Sequence, residues 1–414
     1  MHRFIADIIV VGSGPAGLCI AADLANCGCS VGIVTRDDQF RWPNTYGTWL
    51  DEIAGTVLDG CTVAEWPGTQ VALDTDDVRD LGRGYCRIDN VAAIRRLSSV
   101  LQLNDVTIHP SGVTSVEHDD VGSTVRLTSG GTARAKLIID ATGIGSFTRH
   151  QGPPPSLFQY AVGWRVSGAH PYSADSMRLM DFSSEGVHSA TDAPSFLYAM
   201  PLEGGVFVEE TTLISDDEGD FDELTRRLHA RLERDGITGP ICGSVETVRI
   251  PMDVSLPDFT QRVVAFGAAS SMVHPATGYS FGRTLKASGP LAQALADGLA
   301  EGRSSAALSA IAYAELWPED AVLAHQLFQF GARFLTTLDT QQTRSFFEAF
   351  FSTPRESWVA YLQGDLPAGE LAAVMLAVFG ACPAGLRLRM VWSGAEWKTA
   401  VSAIRSLTRT RRSA

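Results

Sequence analysis

Two kinds of cluster in this sequence have the residue types and spacing to do chemistry: a glycine loop suited to phosphate, and carboxylate pairs set in apolar segments. Gly12-Ser13-Gly14-Pro15-Ala16-Gly17 lies between a continuous apolar run (residues 6–11) and a segment with helical spacing (residues 18–26). In that setting the glycines allow a tight turn and close backbone approach to a pyrophosphate resting on the helix N-terminus. The loop predicts dinucleotide binding. The second strand (residues 30–35) ends in Thr35-Arg36, where an acid usually holds the ribose hydroxyls, and Asp37-Asp38 come late. Arg36 either favours an extra phosphate or lies along the adenosine. Asp140-Ala-Thr-Gly143 follows another buried run (residues 136–139). In flavoproteins with two dinucleotide sites a turn of this kind brings the chain close to the cofactor, which moves the reading from NAD to FAD.

Glu209-Glu210 sit in an alternating stretch (residues 205–211), after Val206-Phe-Val208 and before Thr211 and Thr212. Neighbours on a strand point to opposite faces, so only one of the two can face a given cavity. A carboxyl kept protonated by desolvation or by a second carboxylate is a strong general acid; the alternative is a solvated strand pair. Asp51-Glu52 lie beside Trp42, Tyr46 and Trp49. Aromatic faces stabilise cations, so this segment either lines a pocket or closes as a packed loop over the nucleotide domain.

The elements that must position these groups follow from patterning. The chain has 414 residues, 45% hydrophobic and 19% charged, with a net charge of −14. That excludes disorder and argues against a nucleic-acid partner. The low charge fraction implies a large apolar cavity or an apolar surface. Seven scattered cysteines form no CxxC pair, which fits a reducing compartment and calls for no metal. No leader with a cleavage site is visible, and the longest apolar helix candidate (residues 371–381) is too short to span a bilayer. A cytoplasmic protein is expected. A βαβ unit opens the chain. Residues 89–103 predict an amphipathic helix with Val91, Ile94, Leu97 and Leu101 on one face. Residues 107–108, 113–117 and 124–127 predict a small antiparallel piece. Segments 160–166, 177–182, 195–200 and 205–211 alternate, predicting an inserted β-sheet layer. Residues 263–267 return to a buried strand, 278–299 to a helix, and from 306 onward helices dominate. The expected fold is α/β: a Rossmann-like nucleotide domain (1–150 and 245–305), a β-sheet substrate domain (151–244) and a helical C-terminal region (306–414).

From Trp42-Pro-Asn-Thr-Tyr-Gly-Thr-Trp-Leu-Asp-Glu52 onward the sequence resembles the flavin-dependent lycopene β/ε-cyclases of plant and cyanobacterial type. Tyr85-Cys-Arg-Ile88, Met180-Asp-Phe182, Ser195-Phe-Leu-Tyr-Ala-Met-Pro201 and Phe207-Val-Glu-Glu-Thr211 follow in the family's order. So do Ile250-Pro-Met252, Met272-Val-His-Pro-Ala-Thr-Gly-Tyr279, Arg283-Thr-Leu285, Leu316-Trp-Pro318 and Arg344-Phe-Phe-Glu-Ala-Phe-Phe351. Gly267-Ala268 stands where flavin monooxygenases carry Gly-Asp, and the cyclases also lack that Asp. The resemblance implies a FAD-binding domain of the flavoprotein-hydroxylase type. It implies a non-redox isomerase that protonates the terminal alkene of a linear polyene and closes a ring through a carbocation. Glu209, the first acid of its motif, is the implied proton donor. FAD is implied to act in its reduced form, with NAD(P)H as a transient reductant. Pro275, Gly278 and Tyr279 precede a helix whose N-terminus can face the flavin, and His274 shapes their turn. The substrate is lycopene or another terpenoid or polyketide polyene; a FAD-dependent monooxygenase or epoxidase is the other reading.

The C-terminus is basic: Arg387, Arg389, Lys398, Arg405, Arg409, Arg411 and Arg412 face one acid, Glu396, with Trp392 and Trp397 among them. It is either a solvated tail or a contact with anionic lipid. A carotenoid drawn from a bilayer favours a peripheral membrane protein.

Overall fold

The computed structural model describes residues 3–36, 38–143 and 147–392. In chain order its elements are β1 (Arg3–Val11), α1 (Pro15–Asn26), β2 (Val31–Thr35), β3 (Gly47–Trp49), α2 (Leu50–Ile53), β4 (Thr62–Trp66), β5 (Gly68–Asp74), β6 (Asp77–Asp80), β7 (Tyr85–Ile88), α3 (Asn90–Leu103), β8 (Thr107–Pro110), β9 (Val113–His118), β10 (Ser123–Leu127) and β11 (Thr132–Asp140). There follow β12 (Phe158–Ser167), β13 (Ser176–Asp181), β14 (Ser195–Leu202), β15 (Gly205–Thr212), α4 (Phe221–Arg234), β16 (Ile241–Pro251), β17 (Val263–Ala265) and α5 (Phe281–Ala300). The C-terminal region holds α6 (Ser305–Leu316), α7 (Glu319–Leu335), α8 (Thr340–Phe351), α9 (Arg355–Gln363), α10 (Ala368–Ala381) and α11 (Ala384–Trp392).

The nucleotide sheet runs β8-β2-β1-β11-β10-β9, with β17 on β11. β1, β2, β8, β11 and β17 pair in parallel, and the apolar runs read from the sequence fill their middle: Ile8, Ile9 and Val10 are fully buried. Strands covered on both faces read as continuous apolar runs for this reason. α1 and α5 pack together in the largest hydrophobic cluster with this sheet. Residues 107–110 belong here, parallel to β2, rather than to the antiparallel piece. On α3 the buried face is Ala93, Leu97 and Leu101, while Val91 is 65% exposed. A step of four residues sets that face, with Asp89 accepting from the Ala92 amide at the cap.

The second sheet runs β16-β12-β15-β14-β13-β5-β6. It reaches beyond the expected bounds of 151–244 at both ends. β16 continues to Pro251 along β12, and β5 and β6, from a region expected in the nucleotide domain, add to the far edge. They do so because Val71 and Leu73 bury into the cluster of the substrate sheet. A three-stranded sheet, β3-β7-β4, bridges the two. One face of the second sheet carries α4; the other meets α7 to α11. All seven cysteines are free thiols, four of them buried. Among the described residues, no helix is long and apolar enough to cross a membrane. The basic residues from Lys398 onward, with Glu396 and Trp397, lie outside the described residues.

Candidate active site

The glycine loop leads from β1 into α1 and lines a cleft of about 760 Å³. Its conformation depends on missing side chains. Gly12 has φ +110, and a Cβ there would lie 2.6 Å from the Ala141 carbonyl oxygen; one on Gly17 would lie 2.2 Å from the Gly12 oxygen. Gly12, Ser13, Gly14, Pro15 and Ala16 line the cleft, with Thr35, Arg36 and Gly143. The Ser13 and Thr35 hydroxyls are 2.6 Å apart. The Asp140 carboxylate, fully buried, accepts from Thr142 N and Oγ1, Phe147 N, and Thr148 N and Oγ1. Those five bonds hold Thr142, Phe147 and Thr148 about the carboxylate beside the cleft, which explains an acid at the head of the Ala-Thr-Gly motif. Gly17 and Gly267 serve by packing instead: a Cβ on Gly267 would lie 2.6 Å from Ala16 Cβ. The cleft, its glycine cradle and the helix N-terminus fit a dinucleotide.

Beside it lies an apolar cavity of about 210 Å³. Two segments separate the spaces. Asn44 and Tyr46 line the cleft while Thr45 and Gly47 line the cavity; Gly278 and Tyr279 line the cavity while Ser280 and Phe281 line the cleft. Gly278 and Tyr279, expected to bind cofactor, therefore face the apolar side, and Pro275 lines neither space. Trp42 donates to the Ser13 carbonyl at 3.0 Å and Tyr46 stacks on Phe281 at 5.3 Å, fixing this wall to the glycine loop and to α5.

β15 splits its side chains between two worlds. Phe207, Glu209 and Thr211 line the cavity. Val206 and Val208 pack toward α4. Among the described residues, Glu209 is the only carboxyl group in the lining. Thr211 Oγ1 donates to its Oε1 at 3.0 Å. Burial pushes the Glu209 carboxyl up to about 7; the Glu246 carboxylate adds to the rise and the Thr211 bond opposes it. Glu246, on β16, and Glu209, on β15, both stand opposite Gly163 of the intervening β12, so they share one face of the sheet. Glu246 Oε1 accepts from the Thr45 amide at 2.6 Å, tying the cavity wall to the sheet. Gly163 leaves the gap the acid needs, since a Cβ there would be 2.8 Å from the Phe207 ring. Tyr198, paired directly with Glu209 across β14 and β15, clusters with Tyr85 and Tyr279 in the cavity lining, their phenols pushed up chiefly by burial and so kept protonated.

Glu210 points the other way and is fully buried. It accepts from Arg231 Nε at 2.5 Å, Arg231 Nη2 at 3.2 Å and Ser195 Oγ at 2.6 Å, pinning α4 to the back of the sheet. Asp51 and Glu52 are not brought to the cavity. Arg83 sits between them, Nη2 at 2.8 Å from Asp51 and 3.2 Å from Glu52, with its guanidinium 4.1 Å over Trp49. Burial raises Glu52 and Arg83 opposes it. The two acids sit on α2 and tie it through Arg83 to the chain between β6 and β7, and Asp51 is 54% exposed. His274 accepts from the Ala276 amide at Nδ1 and donates from Nε2 to the Tyr361 carbonyl at 3.0 Å, so it is a structural tie between its turn and α9. Burial, aided by Arg283, holds it down to about 3, and it stays neutral.

Residue patterning alone missed Glu246 and the cavity's outer wall. That wall is α8, where Phe346, Phe347, Phe350 and Phe351 line the cavity. Arg344 holds α8 down by donating to the Phe182 carbonyl at 2.9 and 2.7 Å. Four closely spaced phenylalanines after one arginine were the available signal.

The family described as "Lycopene cyclase protein" matches residues 7–388. Lycopene beta cyclase, chloroplastic/chromoplastic, of Capsicum annuum is 33% identical over 402 residues, 94% of this chain and 81% of that protein. Among solved structures, a geranylgeranyl bacteriochlorophyll reductase-like protein from Thermoplasma acidophilum superposes with a TM-score of 0.68 at 15% identity, covering 91% of this chain and 96% of its own. The halogenase PltM, a variant in complex with FAD, gives 0.63 at 12% identity, covering 99% and 96%. Both share the flavoprotein fold found here. With the match running through both sheets and most of the C-terminal helices, the chain belongs to the lycopene cyclase family.

Proposed function

We propose that this protein is a FAD-dependent, non-redox cyclase that converts the end of a linear polyene, lycopene first of all, into a ring. The observation that carries the reading is Glu209: one carboxyl, pushed by burial up to about 7, in an aromatic cavity beside a dinucleotide cleft. An alkene is a very poor base, so its protonation needs a neutral acid in a dry site. Glu209 gives its proton to the terminal trisubstituted alkene. The neighbouring double bond attacks the resulting cation, the ring closes, and the cyclic cation loses a proton. One proton enters and one leaves, so the product is an isomer of the substrate. Phe196, Tyr198, Phe207 and Tyr279 exclude water and face the charge with their π-systems. Gly12, Ser13, Gly14, Pro15, Ala16, Thr35, Arg36 and Gly143 hold the dinucleotide. In its reduced anionic form FAD supplies negative charge that favours a nearby cation; NAD(P)H serves as its transient reductant.

The substrate reaches the protein from a membrane surface. Leu376, Leu388 and Val391 are exposed on α10 and α11, with Arg387 and Arg389 among them. Basic residues interleaved with apolar ones suit an anionic bilayer surface.

The test is anaerobic incubation with lycopene and photoreduced FAD, with products separated by chromatography and weighed. A ring-ended product of unchanged mass is expected. Unaltered lycopene, or a product that appears only in air and carries added oxygen, would overturn the proposal.

A further inference from the structure

The cavity around Glu209 is small for its proposed substrate. Sites that enclose drug-sized ligands run to about 300–1,000 Å³, whereas this one measures about 210 Å³. It has room for the reacting end of a long polyene and not for the remainder. A second cavity of about 250 Å³ lies among α7, α8, α9, α10 and α11. Among the described residues, no charged side chain lines it. The two cavities share four residues, Leu335, Phe346, Phe350 and Tyr361, so they stand on either side of one side-chain partition. Leu376 and Val391 line the second cavity and are 58% and 50% exposed, which puts its mouth at the surface between α10 and α11. Gly331, inside α7, is a poor helix former. A Cβ there would stand 3.3 Å from the Tyr361 hydroxyl, so the missing side chain keeps the floor of this cavity wide.

We propose that the second cavity holds the distal part of the polyene whose end is presented to Glu209, with the chain threaded through the partition formed by Leu335, Phe346, Phe350 and Tyr361. The inference rests on the polyene reading above. It assigns the C-terminal helices a share of substrate recognition that the acid-bearing sheet does not supply. Long substrates use both cavities; a substrate that ends at the partition uses only the first.

Ala372→Trp and Met375→Trp each fill the second cavity from α10 without touching the first. Two substrates decide the matter: lycopene, and a shortened acyclic polyene with the same terminal group. The variants are expected to lower kcat/KM for lycopene by about tenfold or more, through KM, because they remove binding remote from the chemistry. The short polyene is expected to stay within about twofold, which also shows that the variants are folded. Equal losses on both substrates, or no loss on lycopene, would overturn the proposal. A readout independent of turnover is Phe379→Trp, whose added emission a polyene in the cavity quenches by energy transfer. Quenching is expected to be stronger with lycopene, whose chain passes the new indole, than with the short polyene held beyond the partition. Quenching no stronger with lycopene than with the short polyene would overturn the cavity assignment. If the parent protein turns over neither substrate, the cyclase reading fails, and the quenching result still decides the cavity.

Discussion

Replacing Glu209 by glutamine tests the acid through stability as well as through turnover. The folded-state carboxyl titrates at about 7 against an ordinary 4.5. A tenfold change in proton affinity is worth about 1.4 kcal/mol, so ionising this side chain in its cavity costs the folded protein on the order of 3 kcal/mol. The sign follows from which state holds the proton more tightly. The folded pKa is the higher one, so the native protein binds the proton better between 4.5 and about 7. Stability therefore falls as pH rises through that window, and the cost is complete above it. The glutamine side chain of Glu209→Gln cannot ionise, and its amide oxygen can still accept from Thr211. Urea unfolding of parent and variant should agree at about pH 4 and differ by about 3 kcal/mol in favour of the variant at about pH 9. The same substitution should lower the cyclisation rate by about 100-fold or more, the usual worth of a positioned general acid. The parent's rate should decline as pH climbs through about 7. A stability difference that does not change with pH, or a variant retaining a tenth of the parent's activity (about 1.4 kcal/mol of barrier), would refute the assignment.

Glu246→Gln removes the neighbouring negative charge, so the midpoint of the activity profile should move to lower pH; an unmoved profile would show that burial alone sets Glu209. Arg231→Met strands the buried Glu210 carboxylate and should cost about 3–5 kcal/mol in chemical denaturation, a loss that adding Glu210→Gln should largely recover; no recovery would mean that the pair is not what holds α4. Gly12→Ala pushes a Cβ to 2.6 Å from the Ala141 oxygen at a φ of +110, and the purified variant should carry no bound flavin by absorbance. His274 and His325 are both held down to about 3 by burial, against an ordinary 6.5. The unfolded chain takes up those two protons first as pH falls below 6.5, so the histidines' own contribution should fall by about 3 kcal/mol per pH unit between about pH 6 and 4; the parent should lose stability by that much relative to a His274→Gln, His325→Gln variant in urea unfolding, and a difference that does not change with pH would mean that both rings are already charged in the fold.

The parts of this protein that the sequence discloses are those set by neighbours along the chain. The apolar runs of β1, β2 and β11, the glycine loop and the alternation of β12 to β15 are local patterns, and the elements form where they predict. The split between Glu209 and Glu210 is equally local, because a strand's pleat needs no partner to define two faces. What stayed hidden depends on register and distant partners. Glu246 lies in a mostly exposed strand and gains its relation to Glu209 only through the pairing of both with Gly163. Asp51 and Glu52 look like an aromatic-lined acid pair until Arg83 arrives between them. Gly278 and Tyr279 are adjacent to cleft residues in sequence and on the other side of a wall in space.

The membership of β5 in the second sheet bears on how the chain folds. Gly68–Asp74 pairs in parallel with Ser176–Asp181, and β1 meets β11 the same way. Neither sheet is complete until chain from more than a hundred positions away has been made. Such non-local parallel pairing is slow, because loop closure must be overcome before any contact rewards it. A fragment cut at 151–251 would expose the β13 edge that β5 normally covers, with Met177 and Leu179 beside it, and would tend to associate with copies of itself. The two lobes are thus one folding unit, and swapping the substrate sheet between relatives requires moving residues 68–80 with it.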